Sequence, residues 1–168
     1  MYLAVSGTCY WCMEAIFNAL KGVSNVEQGF LVTEDRKHVE AVLFRIDEEE
    51  ISLEDVIRVH LDSHACTSNH SFRESYPSAV YPTNKAHMDK CSKALESAAS
   101  DYVKPVVTQV APMVAFYPTP ARQQNYFWRN PAKPFCRRVI APKMDVLKEL
   151  YPQLLSHNAF TYLSGETA

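Results

Sequence analysis

Near its start the chain passes from an extended apolar run into a helical pattern, and a cysteine marks the junction. Tyr2-Leu3-Ala4-Val5 is short and β-capable, and Ser6-Gly7-Thr8 breaks it. A helix pattern follows at once, with Cys12, Ile16 and Leu20 at four-residue spacing, Ala15 and Ala19 beside them, and Lys21-Gly22 as a stop. This predicts a buried helix of about three turns whose first residue is near Cys9. A strand and a buried helix in immediate succession need a sheet, so the rest of the chain must supply further strands.

Residues 26–32 and 38–46 read as those strands, joined through Glu34-Asp35-Arg36-Lys37 as a hairpin. Ser52 caps a helix with Asp55 at the third position beyond it and Leu53, Val56, Ile57, His60 and Leu61 as its apolar stripe, ending near Ser63-His64. Residues 65–75 are polar and irregular, a loop long enough to suggest function. Then come a short strand at 78–81, a helix from 84 to about 100 and a strand at 106–110. The stretch 116–135, aromatic and rich in Pro, Gln and Asn, reads as an ordered loop wrapped over a site and closed by Cys136. Met144, Leu147, Leu150, Tyr151, Leu154 and Leu155 predict a C-terminal helix at about 142–156, and beyond Asn158 no pattern is legible. The order βαββαβαβα predicts an α+β fold, a single-domain two-layer sandwich with a mixed β-sheet, packed helices and a ferredoxin-like core. With 168 residues and neither repeat nor linker, residues 1–168 are expected to form that one domain.

The formal net charge of −2 gives no global basic field, so nucleic acid and membrane surface are poor expectations. The N-terminal residues have no basic and apolar leader pattern, and no segment has the ~18 apolar residues of a membrane span, which predicts a cytoplasmic protein. Five cysteines cannot all pair within one chain, so packed or reactive thiols are expected rather than a disulfide framework.

Cys9-Tyr10-Trp11-Cys12 is the sharpest chemical signal. At a helix start, backbone N–H groups and the helix dipole favour an anion, so Cys9 is expected to have a lowered pKa and to act as a nucleophile. Cys12 either resolves an oxidised Cys9 as a disulfide or packs as a small hydrophobe.

The run Gly7-Thr8-Cys9-Tyr10-Trp11-Cys12-Met13-Glu14 resembles the G-C-F-W-x-x-E signature of the methionine sulfoxide reductase A family. Further likenesses keep the family's order: Gly22-Val23, His38-Val39-Glu40-Ala41-Val42, His64, Tyr76, Ser78-Ala79-Val80-Tyr81, Phe116-Tyr117-Pro118, Gln124-Asn125-Tyr126, Asn130-Pro131, Phe135-Cys136 and the run from Val139 to Lys143. The resemblance covers about residues 4–155. It implies reduction of the S epimer of methionine sulfoxide, free or in proteins, without metal or organic cofactor. Cys9 would attack the sulfoxide sulfur, Glu40 would protonate its oxygen, and Tyr76 would add a hydroxyl donor. Tyr10 and Trp11, with Phe30, would form the substrate-binding wall. The sulfenic acid left on Cys9 would condense with a second thiol, Cys136 being favoured slightly over Cys12, to a disulfide that thioredoxin or a similar dithiol opens. Cys66 and Cys91 read as packing or incidental surface thiols.

The sequence also departs from the family. Its Gly-Tyr-x-Gly-Gly is Gly29-Phe30-Leu31-Val32 here, which removes a tyrosine hydroxyl and shortens a glycine-rich loop. Ser71 replaces an aspartate, Pro77 an arginine, and Thr119 to Gln123 lacks the family's Glu and His. Arg73, Glu74 and Arg122 are candidate replacements in substrate recognition, or else solvated loop charges. Three other readings stay open: a thiol-disulfide exchanger or redox sensor using Cys9 and Cys12, a non-enzymatic binding relative, and, lowest, a zinc site from Cys9, Cys12, His64 and Cys66.

Overall fold

The computed structural model describes residues 1–165; residues 166–168, which the expected domain also takes in, lie outside the described residues. Strands β1 (Tyr2–Ser6), β2 (Val23–Thr33), β3 (His38–Ile46), β4 (Ala79–Pro82), β5 (Gln109–Val110) and β6 (Met113–Pro118) form one sheet in the order β5-β4-β1-β3-β2-β6. Helices α1 (Tyr10–Asn18), α2 (Leu53–Asp62), α3 (Met88–Ala99), α4 (Tyr126–Arg129), α5 (Ala141–Leu150) and α6 (His157–Ser164) complete the α+β sandwich. Every strand pair is antiparallel except β4 with β5, so the sheet is mixed. The central order β4-β1-β3-β2, with α1 and α2 as crossovers, is the expected ferredoxin-like core.

The two-residue period of β1 explains its burial on both faces. Leu3 and Val5 join the main core under the helices, whereas Ala4 packs with Leu31, Ala41, Ala79 and Tyr81 on the other face. Phe17 of α1 stacks on Phe44 of β3 with ring centroids 4.4 Å apart, fixing the helix over the sheet. The hairpin register runs from Val23↔Ile46 to Val32↔His38, and its turn holds Arg36 at φ +61. The Ser52 hydroxyl accepts the Asp55 amide at 3.0 Å, so the cap read from sequence starts α2.

Three expectations differ from the structure. Residues 113–118 form a sixth strand, which takes in 116–118, the expected opening of a loop, because their backbone pairs with β2 in the register Phe30↔Tyr117 and Leu31↔Phe116. Of the strand expected at 106–110 only Gln109–Val110 pairs with β4; the Val107 amide instead donates to the Cys66 carbonyl at 2.8 Å. The C-terminal helix stops at Leu150, six residues short of the expected end. Pro152 has no N–H to continue it, and a 3₁₀ turn at Pro152–Leu154 buries Leu154 and Leu155 before Ser156 caps α6, a helix the sequence reading lacked. Among the described residues, no helix is long and apolar enough to cross a membrane.

Candidate active site

Cys9 is the residue that caps α1, with extended backbone at φ −49 and ψ 129, and its carbonyl accepts the Cys12 and Met13 amides at 3.1 and 3.3 Å. Its thiol is half-buried. A hydrogen bond from the Cys12 thiol is the main stabiliser of its thiolate; burial opposes this, and the Trp11 and Cys12 amides add to it, leaving a pKa of about 7. The same bond, with burial, drives the Cys12 thiol far above the ordinary range, so Cys12 stays protonated as the donor. Cys12 and Cys136 are both fully enclosed, at 1% and 0% exposure, in the same core.

Glu40 reaches α1 from the third residue of β3. Its Oε2 accepts the Tyr10 amide at 3.2 Å and its Oε1 accepts the Tyr76 hydroxyl at a long 3.4 Å. The carboxylate is close enough to raise the Cys9 pKa and is the main reason the Tyr76 phenol is raised. Phe30 pairs with Glu40 across the hairpin, and its ring meets Tyr10 edge-on at 5.7 Å. Phe30, Lys37, His38, Glu40, Glu74 and Tyr76 line an open depression of about 400 Å³. Nucleophile, carboxylate, phenol and aromatic wall, read from distant stretches of sequence, therefore meet at one end of α1.

Trp11, whose ring lies 5.8 Å from that of Tyr10, belongs to an aromatic stack. Tyr126 lies flat on it at 4.1 Å, Phe135 meets it edge-on at 5.5 Å, and the Lys133 ammonium is 4.2 Å from the other Tyr126 face. Glu14 holds that stack in place. Buried at 1% exposure, it accepts the Asn125 and Tyr126 amides at 2.5 and 3.0 Å, with Asn125 at φ +56. Gln124 adds a second anchor by donating to the Gln28 and Thr119 carbonyls and accepting the Gln28 amide. The segment delivers Cys136 into a π-helical turn, Cys136–Ile140, beside α1. In the sequence Glu14 is only a letter of the signature, because the partners that give it this role lie 111 and 112 residues away.

The approach to Cys9 is fixed from below. Gly7 has φ +155, and a Cβ there would stand 2.7 Å from His64 Nε2. The His64 Nδ1–H donates to the His60 carbonyl at 2.8 Å, its Nε2 meets the Ser78 hydroxyl at 2.6 Å, and His60 Nε2 meets the Ser6 carbonyl at 2.8 Å. Arg73 gives its guanidinium to the carbonyls of Gly7, Ala65, Ser68 and Tyr76. It is thus neither a solvated charge nor free to recognise substrate; it ties the Tyr76 loop to the Cys9 loop. Arg122 is exposed, Ser71 is exposed, and Glu74 alone of the candidate replacements lines the depression. Cys66 and Cys91 are buried, which excludes the surface-thiol reading for both.

The family model described as peptide methionine sulfoxide reductase matches residues 2–154. The chain belongs to that family. A peptide methionine sulfoxide reductase MsrA of Thermus thermophilus is 30% identical over 167 residues, covering 90% of this chain and 95% of that protein. Among solved structures, methionine sulfoxide reductase A of Corynebacterium diphtheriae superposes with a TM-score of 0.65 at 18% identity, covering 79% of this chain and 76% of that one. Mxr1 of Saccharomyces cerevisiae, solved in complex with Trx2, gives 0.54 at 16% identity, covering 75% and 84%. These two likenesses speak for the fold. The family's activity, reduction of methionine sulfoxide by thiol chemistry, is the frame for this chain, and its peptide methionine sulfoxide reductase signature maps onto the α1 junction around Cys9.

Proposed function

We propose that the protein reduces the S epimer of methionine sulfoxide with Cys9 as nucleophile and Glu40 as proton donor. The observation that carries this is the contact of the Glu40 carboxylate with the Tyr10 amide, which sets an acid beside the thiol at the start of α1. A thiol-disulfide exchanger has no use for an acid and a phenol facing its nucleophile, so this arrangement favours sulfoxide chemistry over the exchanger. The Cys9 thiolate attacks the sulfoxide sulfur while Glu40, with the Tyr76 hydroxyl beside it, gives its proton to the oxygen. The oxygen then passes to the Cys9 sulfur as the methionine sulfur's bonds to oxygen and to the Cys9 sulfur both break, so methionine leaves and Cys9 is left as a sulfenic acid. Phe30 walls the depression for the S-methyl group, Tyr10 supports Phe30 edge-on, and Trp11 backs Tyr10 at a ring distance of 5.8 Å. Cys12, whose backbone amide donates to the Cys9 carbonyl at 3.1 Å within the first turn of α1, condenses through its thiol with the sulfenic acid and releases water; Cys136 follows by thiol exchange onto Cys12. This order places Cys12 ahead of Cys136 because Cys12 shares the first turn of α1 with Cys9, whereas Cys136 lies on a separate turn packed beside that helix. A thioredoxin-like dithiol returns both thiols, and a reducing compartment such as the cytoplasm suits five free cysteines.

Turnover of the separate S and R epimers of N-acetylmethionine sulfoxide with dithiothreitol tests the reading. S-specific turnover is expected, abolished in Cys9→Ser and lowered roughly 10²–10⁴-fold in Glu40→Gln. Turnover of neither epimer, or full activity in Glu40→Gln, would sink it.

A further inference from the structure

Between Asp101 and Asp145 the chain has no carboxylate, yet from Arg122 onward it carries Arg122, Arg129, Lys133, Arg137, Arg138 and Lys143. The rest of the chain is therefore net acidic. The fold sets this cationic stretch around the second and third thiols. Arg137 and Arg138 directly follow Cys136 and are exposed, and the Lys133 ammonium rests on Tyr126; burial raises the Cys136 thiol and Lys133 opposes that shift, as Lys143 opposes the rise of the Cys12 thiol. Among the described residues, Arg122, Arg129, Lys133, Arg137 and Arg138 form no ion pair. The sulfoxide depression is different, with Glu40 and Glu74 set against one cation, Lys37, on its walls. The substrate side thus carries both signs, whereas the thiol-return side carries cations alone.

We infer that the exposed cations flanking Cys136 form the docking surface for a protein dithiol whose nucleophilic cysteine lies in an acidic face. The inference rests on the reductase reading only for the source of the disulfide. A small thiol needs no surface, whereas a protein reductant must be held while the buried Cys136 turn opens, and unpaired surface charge steers and holds such a partner. The partner's thiolate attacks the Cys12–Cys136 disulfide, that S–S bond breaks, and the departing cysteine takes a proton. The partner's second thiol then breaks the mixed disulfide, so this chain gains two electrons and two protons and the partner ends as a disulfide.

The test uses protein oxidised with hydrogen peroxide and follows disulfide reduction by stopped-flow tryptophan fluorescence, which needs no sulfoxide. Three reductants are compared: dithiothreitol, a thioredoxin with an acidic rim, and that thioredoxin with its rim carboxylates changed to amides. With the acidic thioredoxin, the second-order rate is expected to fall roughly tenfold between ~20 and ~300 mM salt, and by roughly three- to tenfold in Arg137→Gln/Arg138→Gln. The amide form and dithiothreitol should show neither loss. Salt-independent reduction, equal losses with both thioredoxins, or an unaffected double variant overturns the inference. So does a single-stranded oligonucleotide that binds the cations and displaces thioredoxin, which would assign them to nucleic acid. Absence of sulfoxide turnover with charge-dependent disulfide reduction intact would instead remove the substrate reading and leave the docking surface standing.

Discussion

Phe30 stands directly across the β2–β3 hairpin from Glu40, with its ring edge-on to Tyr10, where the family pattern carries a tyrosine. The pairing puts the lost hydroxyl beside the carboxylate and leaves Tyr76 as the remaining phenol in the depression. Removing one preorganised donor to a developing oxyanion costs roughly 10²–10³ in rate. Phe30→Tyr should therefore raise kcat for S-sulfoxide by roughly tenfold or more with little change in KM. Steady-state kinetics of the variant decide it; an unchanged or lower kcat means that Tyr76 already satisfies the oxygen.

The Cys12 thiol is the largest stabiliser of the Cys9 thiolate, which sets a pH profile. Alkylation of Cys9 by iodoacetamide should rise with pH around a midpoint near 7, since only the thiolate reacts and lowering the pKa raises its fraction at neutral pH. Cys12→Ala removes the donor, so the midpoint should move up toward the ordinary thiol value of about 8.5. Mass spectrometry of the Cys9 peptide after timed alkylation reads both midpoints, and identical profiles would disprove the bond's role.

His64 occupies the space a side chain at Gly7 would need. Gly7→Ala meets both the 2.7 Å contact with Nε2 and the φ of +155, a backbone state an L side chain rarely adopts. It should lower stability by about 2 kcal/mol or more and slow Cys9 alkylation, because the loop that positions Cys9 must shift. Urea denaturation and the alkylation rate measure the two effects separately.

Burial holds His60 and His64 neutral, with pKa values lowered to about 4 and about 2. Unfolding exposes both imidazoles, which then titrate near 6.5. The unfolded chain thus binds more protons than the native one as pH falls below about 6.5, and stability falls with it. Each imidazole contributes up to about 1.4 kcal/mol per pH unit in that window, ending near pH 4 for His60 and lower for His64. Between pH 6.5 and 5, ahead of most carboxylate titration, the slope of unfolding free energy should approach twice that figure, and His64→Phe should roughly halve it. Urea melts at half-unit pH steps supply the slope.

Local sequence determined those features whose forces are local. The break at Ser6-Gly7-Thr8, the spacing from Cys12 to Leu20, the Ser52 cap and the hairpin turn each act within a few residues, and β1, α1, α2 and the hairpin formed accordingly. The grouping of Cys9, Glu40 and Tyr76 was legible through ordered motifs along the chain, and the fold brings them together. Tertiary structure alone decided the rest. β6 exists because β2 offers it a hydrogen-bonding edge, which no pattern in a Pro-rich aromatic stretch announces. Arg73 became a clamp on four carbonyls, and Glu14 a buried anchor for Asn125 and Tyr126, because burial makes an unpaired polar group costly and the partners lie far off in sequence. The placement of the thiols was likewise decided in three dimensions: Cys9 and Cys12 share the first turn of α1, and Cys136 comes beside that helix only through the packing of a segment that Glu14 and Gln124 hold against α1 and β2.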